Sequence, residues 1–383
     1  MEINGAKMFV KALQEEGVDT LFAYPGGTAI DLFDALYDAE GIDMILPRHE
    51  QALVHAADGY ARSTGRVGVC LVTSGPGATN LVTGIATANY DSVPLVCFTG
   101  QVPMNLIGND AFQEVDIVGI TRSICKYAVT VRKREDLARI IKNAFYIART
   151  GKPGPVVVDI PKDIQLAMGS DEYPTEVNIR GYKPSEGVHV GQIKRALAEL
   201  KNAKKPVFLC GGGVNIAHAR KEMQELAEKT GIPVVTTIMG KGAIPTDHPL
   251  YVGNIGMHGN MASNKAIMES DVLFSIGCRF NDRITGTIDT FAKNAKIIHV
   301  DIDAASISRN IKVDIPIVAD AKVAISKMLE YAEPLDIKGW VDDIMNVKAE
   351  YPINMNRYDG VTPEAIIRTI NDMYSNLIVT TDV

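Results

Sequence analysis

Short apolar runs alternate along the whole chain with stretches in which apolar residues recur every three to four positions. The apolar runs have the length and β-branched content of buried strands, and the periodic stretches have the spacing of amphipathic helices. Strands that are apolar on both sides and alternate with helices are typical of parallel sheets covered on both faces. The pattern therefore predicts an α/β fold of successive doubly wound parallel-sheet domains.

The first alternating series predicts a domain over residues 1–165. Its predicted helices are 6–16, 31–39, 50–63, 78–89 and 134–150, and its predicted strands are 20–24, 42–46, 67–73, 95–99, 126–131 and 156–160. A polar, proline-marked segment follows, and we assign it as a linker over 166–188.

A second series predicts a central domain over residues 189–335. Its predicted helices are 191–200, 217–229, 261–269 and 320–332, and its predicted strands are 206–210, 232–236, 272–277, 296–302 and 315–318, with a glycine-rich loop at 239–259. The remaining residues, 336–383, hold a short helix at 340–347, a helix at 363–374 and a strand at 377–381. Because these three elements can bury almost no apolar area by themselves, we expect a linker and the start of a truncated third domain.

Composition excludes several classes of protein. The net charge is −7 and no run of Lys or Arg forms a basic stripe, which argues against nucleic acid as a partner. No apolar run reaches the roughly 18 residues of a membrane span, and the first residues lack a signal-peptide pattern. The five cysteines are far apart without a C-x-x-C pair, and the histidines lack zinc-ligand spacing. We expect a cytoplasmic protein with reduced cysteines, no membrane contact and no metal site within this chain.

Glu50 is the central candidate residue of the first series. Its helix pattern begins directly after the strand 42–46, so the carboxylate stands at the carboxyl end of a strand and in the first turn of a helix. Ligands of open parallel sheets bind in that crevice, which makes Glu50 a candidate for acid–base chemistry. A carboxylate that only caps the helix is the alternative.

Several loops have the position of ligand-binding segments. Gly75–Gly77 follows a strand and opens a helix, where the backbone approaches ligands closely; a tight turn is the alternative. Gly211–Gly213 lacks the third glycine of the dinucleotide-binding pattern. Another charged group follows a strand and consists of Arg279, Asp282 and Arg283. Its arginines suit binding of a diphosphate and its aspartate suits binding of a hydroxyl, and a surface ion-pair cluster is the alternative.

Two further residues of the second series are candidates for ligand contact. Asp301 ends a strand, where a carboxylate commonly holds a ribose hydroxyl. His258 stands in a glycine-flanked loop and suits a flat ligand, although a histidine there more often satisfies loop backbone.

Nine motifs, taken in order, resemble the catalytic subunit of acetolactate synthase (acetohydroxyacid synthase), a thiamine-diphosphate enzyme. They are Pro25–Gly27 (PGG), Arg48–Ala52 (RHEQA), His55–Arg62 (HAADGYAR), Ser74–Asn80 (SGPGATN), Asp110–Glu114 (DAFQE), Gly154–Asp163 (GPVVVDIPKD), Met239–Gly242 (MGKG), Gly256–Gly259 (GMHG) and Arg279–Arg283 (RFNDR). Each motif is modest alone, but the ordered set is specific and covers essentially the whole chain.

The resemblance implies a reaction and its residues. Enzymes of this family decarboxylate pyruvate on thiamine diphosphate and join the remaining two-carbon unit to pyruvate or 2-ketobutyrate, in branched-chain amino-acid biosynthesis. The glutamate that matches Glu50 hydrogen-bonds the cofactor's aminopyrimidine and starts its activation.

The resemblance also implies binding residues in the first domain. Residues implied at thiamine diphosphate are Tyr24, Pro25, Gly26, Gly27, Glu50, Thr73, Pro76 and Asn80. Residues implied at the substrate are Gly27, Phe112, Gln113 and Lys126, although a lone strand lysine is more often solvated.

The central domain resembles one that carries FAD. The implied FAD-binding residues are Lys152, Gly211, Gly212, Gly213, Thr236, Thr237, Met257, His258, Gly277, Arg279, Asp282, Arg283, Asp301, Ile302 and Asp320. Four departures affect the comparison with the family. Lys152 replaces an arginine, Asn281 replaces an aspartate, Ala304 and Ser306 interrupt a D-P-A-E stretch, and most of the third domain is absent.

The resemblance also implies partners and leaves alternatives. Mg²⁺ is expected to find its ligands beyond residue 383, and the active site is expected between subunits of a homo-oligomer, a dimer or a tetramer. A small regulatory subunit is a further candidate partner. Another thiamine-diphosphate enzyme acting on 2-keto acids, such as pyruvate oxidase or a flavin-free catabolic acetolactate synthase, is one alternative. A non-catalytic nucleotide-binding remnant is the other.

Overall fold

A computed structural model describes residues 1–184, 187–353 and 360–380. The chain divides into two compact units, Met1–Glu186 and Gly187–Val383. Each unit contains a six-stranded sheet in which all neighbouring strands run parallel, as the alternation of strands and helices predicts. The predicted α/β class with parallel-sheet domains is confirmed.

Unit 1 contains eight strands and eight α-helices within its described residues. The strands are β1 (Glu2–Asn4), β2 (Thr20–Ala23), β3 (Asp43–Ile45), β4 (Gly68–Val72), β5 (Leu95–Gln101), β6 (Tyr127–Thr130), β7 (Val156–Pro161) and β8 (Met168–Ser170). The helices are α1 (Gly5–Glu15), α2 (Ile30–Tyr37), α3 (Glu50–Thr64), α4 (Pro76–Thr79), α5 (Val82–Asp91), α6 (Ile117–Thr121), α7 (Leu137–Arg149) and α8 (Lys162–Leu166). The large sheet has the order β3-β2-β4-β5-β7-β6, and β1 pairs with β8 in a separate antiparallel ribbon.

Helices cover both faces of the large sheet of unit 1. Every residue of β4, β5 and β7 is buried. On one face Phe98 of β5 packs edge-on against Phe9 of α1, with ring centroids 4.9 Å apart. On the other face Leu53 and Val54 of α3 belong to a second cluster of buried apolar residues. Each such fully buried side chain contributes about 1.5–3 kcal/mol, so the two clusters hold the strands whose ends carry the candidate site.

Unit 1 differs from the prediction in several places. The segment assigned as a linker over 166–188 contains the strand β8, which finds its hydrogen-bond partners in β1 at the other end of the unit. The buried guanidinium of Arg134 joins this ribbon, with Nη2 3.0 Å from the Ile3 oxygen and 3.2 Å from the Ser170 oxygen. The predicted helix 78–89 is divided into α4 and α5.

Unit 2 contains six strands and eight α-helices within its described residues. The strands are β9 (Pro206–Cys210), β10 (Val234–Thr236), β11 (Tyr251–Asn254), β12 (Val272–Ile276), β13 (Lys296–Asp301) and β14 (Ile315–Val318). The helices are α9 (Val190–Asn202), α10 (Gly212–Ile216), α11 (Arg220–Thr230), α12 (Met261–Glu269), α13 (Asp282–Thr285), α14 (Ala321–Tyr331), α15 (Lys338–Glu350) and α16 (Pro363–Met373). The sheet has the order β11-β10-β9-β12-β13-β14.

Unit 2 also corrects parts of the prediction. Strand β11 lies inside the predicted loop 239–259, and the helix predicted over 217–229 begins later, as α11 at Arg220, after the separate helix α10. Helix α15 belongs to the core of this unit, because Trp340 is buried and its Nε1 donates to the Pro206 oxygen at 3.1 Å. Residues 377–380 of the predicted strand 377–381 are not in a strand, and residue 381 lies outside the described residues.

In the part of the chain that the structure describes, no helix combines the length and apolar character needed to cross a bilayer.

Candidate active site

The sheet of unit 1 reverses its strand order between β2 and β4. From β2 the chain adds β3 on one side, and then places β4 on the other side of β2. Ligands of doubly wound sheets bind at the carboxyl ends of strands at such a reversal. The loops that leave these two ends are Tyr24–Gly27 and Thr73–Gly75, and both belong to the predicted thiamine-diphosphate site.

Glu50 is the first residue of α3 and stands beside this reversal. His49 caps the helix, with its Nδ1 3.0 Å from the Gln51 nitrogen, so Glu50 is not needed as the cap. The half-buried Glu50 carboxylate instead accepts a hydrogen bond at Oε2 from Nδ2 of Asn80, at 2.9 Å. Its Oε1 faces Gly77, and a Cβ on that glycine would lie 3.4 Å from it. The structure thus places Glu50, Gly77 and Asn80 together.

The loop Tyr24–Gly27 is held closely against the end of β4. The Tyr24 nitrogen donates to the Leu71 oxygen at 2.9 Å. A Cβ on Gly26 would lie 2.5 Å from the Thr73 side chain, so no larger residue fits there. Gly27 is exposed, with open space where a Cβ would stand. Pro76 is the exposed first residue of α4. These loops therefore present backbone to the crevice, as a bound cofactor requires.

Thr28 links the two loops, although the sequence analysis did not select it. Its hydroxyl lies 3.0 Å from the Thr73 hydroxyl and accepts from the Ser74 nitrogen at 3.0 Å. On the other side, the buried Gln165 donates from Nε2 to the Thr28 oxygen at 2.8 Å. A hydroxyl residue directly after the glycine pair was the only sequence signal for it.

The predicted substrate residues Phe112 and Gln113 lie on a loop that reaches the same crevice. Gly75 has a φ of 56°, and a Cβ there would lie 2.6 Å from the Gln113 oxygen. Gln113 itself has a φ of 59°, a conformation that is uncommon for residues other than glycine. The neighbouring Phe112 ring is 85% exposed. Gln113 thus contacts the turn after β4, and Phe112 projects from the same loop.

Lys126 was predicted at the substrate, and the structure places it elsewhere. It precedes β6, so it lies at the amino edge of the parallel sheet, opposite the edge that carries Glu50. Its Nζ donates to the Ile147 and Thr150 oxygens, the latter at 2.7 Å, and to the Tyr182 hydroxyl at 3.1 Å. Burial, with the nearby charge of Lys152, lowers its pKa to about 8. Within unit 1, Lys126 therefore holds the end of α7.

Lys162 is the lysine that the structure brings to the crevice. It follows β7 directly, at the carboxyl edge of the sheet, and its Nζ lies 3.4 Å from the Gly27 oxygen. The Asp31 carboxylate is 3.2 Å from the same nitrogen. The sequence signal was present, because Lys162 follows an apolar strand and belongs to the motif Gly154–Asp163.

The sheet of unit 2 has its own reversal, between β9 and β12. The glycine turns after these two strands are packed together, with the Gly211 nitrogen 2.9 Å from the Ile276 oxygen and the Gly213 nitrogen 3.1 Å from the Gly277 oxygen. A Cβ on Gly277, whose φ is 60°, would lie 2.5 Å from the Gly213 Cα. Only glycines allow this contact, which leaves backbone groups at the carboxyl edge for a ligand.

The other residues predicted at FAD within unit 2 follow strands of the same sheet or lie in nearby loops. Thr236 ends β10, Asp301 ends β13, and Thr237 and Ile302 follow them. Asp320 caps α14, with Oδ1 2.8 Å from the Lys322 nitrogen. The structure brings most of the set to the carboxyl edge of one sheet.

Four residues of that set border a surface pocket or lie close to it. Met257, Asp282 and Arg283 line the pocket together with Gly256 and Phe291. Asp282 and Arg283 are exposed, with Oδ2 and Nη1 3.7 Å apart, so as an ion pair they contribute little. His258 is exposed beside Met257.

Lys152 and Arg279 have different settings. Lys152 lies in unit 1, between α7 and β7, at the amino edge of that sheet. Arg279 is half-buried in the segment after β12, directly after the buried thiol of Cys278, whose pKa is raised to about 11 by burial. All five cysteines are free thiols. Among the described residues no group of three His, Cys, Asp or Glu side chains is arranged to hold a metal ion.

Two family models match the chain. Residues 3–120 match the thiamine pyrophosphate enzyme N-terminal TPP binding domain, and residues 193–328 match the thiamine pyrophosphate enzyme central domain. The first match spans β2 to β5 and the second spans β9 to β14, so each includes the strand-order reversal of its sheet.

Whole-chain comparisons give the family. A probable acetolactate synthase large subunit from Methanococcus aeolicus is 48% identical over 100% of the chain and 67% of its own length. The acetolactate synthase large subunit of Haemophilus influenzae and the isozyme 3 large subunit of Escherichia coli are each 46% identical, over 96% of the chain and 66% of their own length. The chain thus spans about two thirds of the length of these relatives. It belongs to the acetolactate synthase large-subunit family of thiamine-diphosphate-dependent enzymes.

Proposed function

We propose that this protein forms acetolactate, or its ethyl homologue, from pyruvate and a second 2-keto acid. The observation that carries the proposal is the setting of Glu50, whose carboxylate is oriented by Asn80 at the strand-order reversal and faces a position kept open by Gly77. A carboxylate in that setting suits a proton-transfer role rather than a helix cap, which His49 already supplies.

The crevice of unit 1 has the features that thiamine diphosphate needs. Gly26, Gly27 and Gly77 lack side chains where the backbone lines it, and Glu50 offers an acceptor for a ring nitrogen. When bound, the cofactor supplies the electron sink for decarboxylation. Glu50 then holds or releases a proton at its carboxylate, and Asn80 fixes the orientation of that group.

Three further side chains are assigned to the keto acid. The Lys162 ammonium provides the positive charge that a carboxylate requires, and it replaces Lys126 in that role. Phe112 supplies an apolar surface beside the reacting groups, and Gln113 supplies an amide on the same loop. These residues bind and orient the substrate, while the proton chemistry stays with Glu50.

We also propose that unit 2 binds FAD at its strand-order reversal. The packed turns at Gly211 and Gly277 suit close approach of a dinucleotide, and Arg279 suits its diphosphate. Mg²⁺, a homo-oligomer and a small regulatory subunit are proposed from the family, as is a cytoplasmic location.

Substitution of Glu50 by glutamine tests the main proposal in the full-length protein. With thiamine diphosphate, Mg²⁺ and pyruvate in excess, acetolactate formation should fall by about 10²–10⁴-fold, as for loss of a positioned proton-transfer group. Binding of thiamine diphosphate is measured in parallel by calorimetry. Glu40→Gln, at an exposed glutamate, is the matched control and should keep wild-type turnover.

The products separate the proposal from its rivals. Acetate in place of acetolactate would indicate an oxidase, and an inert wild-type protein would indicate a binding remnant. Wild-type turnover in Glu50→Gln would refute the role of Glu50.

A further inference from the structure

The loop that carries Phe112 and Gln113 has few attachments to the rest of unit 1. It runs from Val102, after β5, to Val115, before α6, and residues 105–110 are all exposed. One attachment is the Met104 nitrogen, which lies 3.2 Å from the Asp163 carboxylate. The position of the loop therefore depends strongly on how its two ends are held.

Gln101 holds both ends with a single side chain. This buried residue, 2% exposed, accepts from the Val102 nitrogen at Oε1, at 2.9 Å. Its Nε2 donates to the Val115 oxygen at 3.0 Å and to Oδ2 of Asp159 at 3.2 Å. Both protons of the amide nitrogen are thus used, and the first and last residues of the loop are tied to one group.

Asp159 gives this amide a fixed partner inside the sheet. It lies on β7, and its Oδ1 accepts from the Thr99 hydroxyl of β5 at 2.7 Å. Its Oδ2 accepts from the Thr130 hydroxyl of β6 at 3.2 Å as well as from Gln101. Three neighbouring strands therefore contribute to one buried network, so the carboxylate cannot move without disturbing the sheet.

The closed base of the loop has a consequence at the crevice. Gln113 contacts Gly75 while its own backbone is held at a φ of 59°. Such a conformation costs free energy and persists only where the surroundings enforce it. Releasing Val115 would let the last residues of the loop relax away from Gly75, and Phe112 and Gln113 would move with them.

We propose that Gln101, anchored on Asp159, is a positioning residue that holds the substrate-facing loop 102–115 in its productive place. The proposal rests on the proposed function, which assigns Phe112 and Gln113 to the keto acid. Loss of Gln101 should affect substrate binding and leave cofactor binding unchanged, since none of its hydrogen bonds reaches Glu50 or Asn80.

Gln101→Met is the test, because methionine keeps the length of the side chain and removes its hydrogen bonds. In the full-length protein we expect KM for pyruvate to rise about tenfold, the effect of one or two net hydrogen bonds. Affinity for thiamine diphosphate should stay at the wild-type value. Hydrogen exchange measured by mass spectrometry should accelerate about tenfold in residues 102–115 and stay unchanged in α3.

Thr130→Val is the matched control, since it removes a partner of Asp159 that does not touch the loop. It should leave both KM and loop exchange unchanged. If Gln101→Met does not fold, Gln101→Asn replaces it, because its shorter amide cannot reach Asp159 and Val115 together.

The outcomes separate this proposal from the proposed function. Wild-type KM and wild-type loop exchange in a folded Gln101 variant would overturn the positioning role, and so would an equal loss of cofactor affinity. A wild-type protein that forms no acetolactate would contradict the proposed function, while faster exchange confined to residues 102–115 would still support the closure of the loop by Gln101.

Discussion

Asp159 should make the stability of unit 1 depend on pH. Its carboxyl group is 2% exposed, and burial raises its pKa to about 6, even though Thr99, Gln101 and Thr130 donate hydrogen bonds that act in the opposite direction. The perturbation we consider is Asp159→Asn, which keeps the shape of the side chain and removes its titration.

The sign follows from proton binding. The pKa of Asp159 is higher in the native protein than its ordinary value of 3.8, so between about pH 4 and pH 6 the native state binds more protons than the unfolded chain. Protonation of Asp159 therefore increases the free energy of unfolding as the pH falls through about 6. That contribution is absent above about pH 7, where both states are ionised.

The magnitude comes from the two pKa values. With about 6 in the native state and 3.8 in the unfolded state, the contribution is nearly zero at pH 7.5 and about 1.4 kcal/mol at pH 5.0. Asp159→Asn lacks this change. Lowering the pH from 7.5 to 5.0 should thus shift the stability difference between the two proteins by about 1.4 kcal/mol in favour of the wild type.

The assay is urea unfolding of both proteins at the two pH values. The single tryptophan, Trp340, lies in unit 2, so unit 1 is followed through peptides of β5 and β7 after a pulse of hydrogen exchange. Other groups titrate equally in both proteins and cancel in the difference. Asp38→Asn, at an exposed carboxylate, controls for the loss of charge. A stability difference that is the same at pH 5.0 and pH 7.5 would refute the reasoning.

Two further predictions concern the proposed binding groups. Lys162→Met should raise KM for pyruvate about tenfold or more, because it removes the charge partner of the substrate carboxylate, whereas Lys126→Met should lower stability and leave KM unchanged. The reverse pattern in steady-state kinetics would restore Lys126 as the substrate lysine. Arg279→Ala should weaken FAD binding by ~2–4 kcal/mol, as for loss of a buried charge partner. The measurement is the flavin absorbance that the protein keeps after desalting, and retention equal to that of the wild type would show that Arg279 does not hold the flavin.

Local patterns were sufficient for most of the fold. The apolar runs at β4, β5 and β7 predict buried parallel strands because such strands are covered on both faces and need apolar residues on both. The place of Glu50 also followed from local order, since a strand, a turn and a helix start within a few residues of each other. The ordered motifs added the cofactor, which composition and periodicity cannot supply.

Long-range pairing explains what the sequence analysis missed in the fold. The strand β8 is only three residues long, and it exists because β1 pairs with it across more than 160 residues of chain. Helix α15 has an ordinary amphipathic pattern, and contacts with distant residues, such as that of Trp340 with Pro206, assign it to unit 2. Neither partner is visible in a window of neighbouring residues.

The sequence by itself determined the α/β class, the two parallel sheets, Glu50 and the glycine turns, because each depends on residues close together in the chain. Only the tertiary structure decided which lysine reaches the crevice. Lys126 precedes its strand and Lys162 follows its strand, so the parallel sheet sends them to opposite edges. It also decided that Gln101 and Asp159, on strands β5 and β7, share one buried network, since packing of the sheet joins groups that the chain keeps apart.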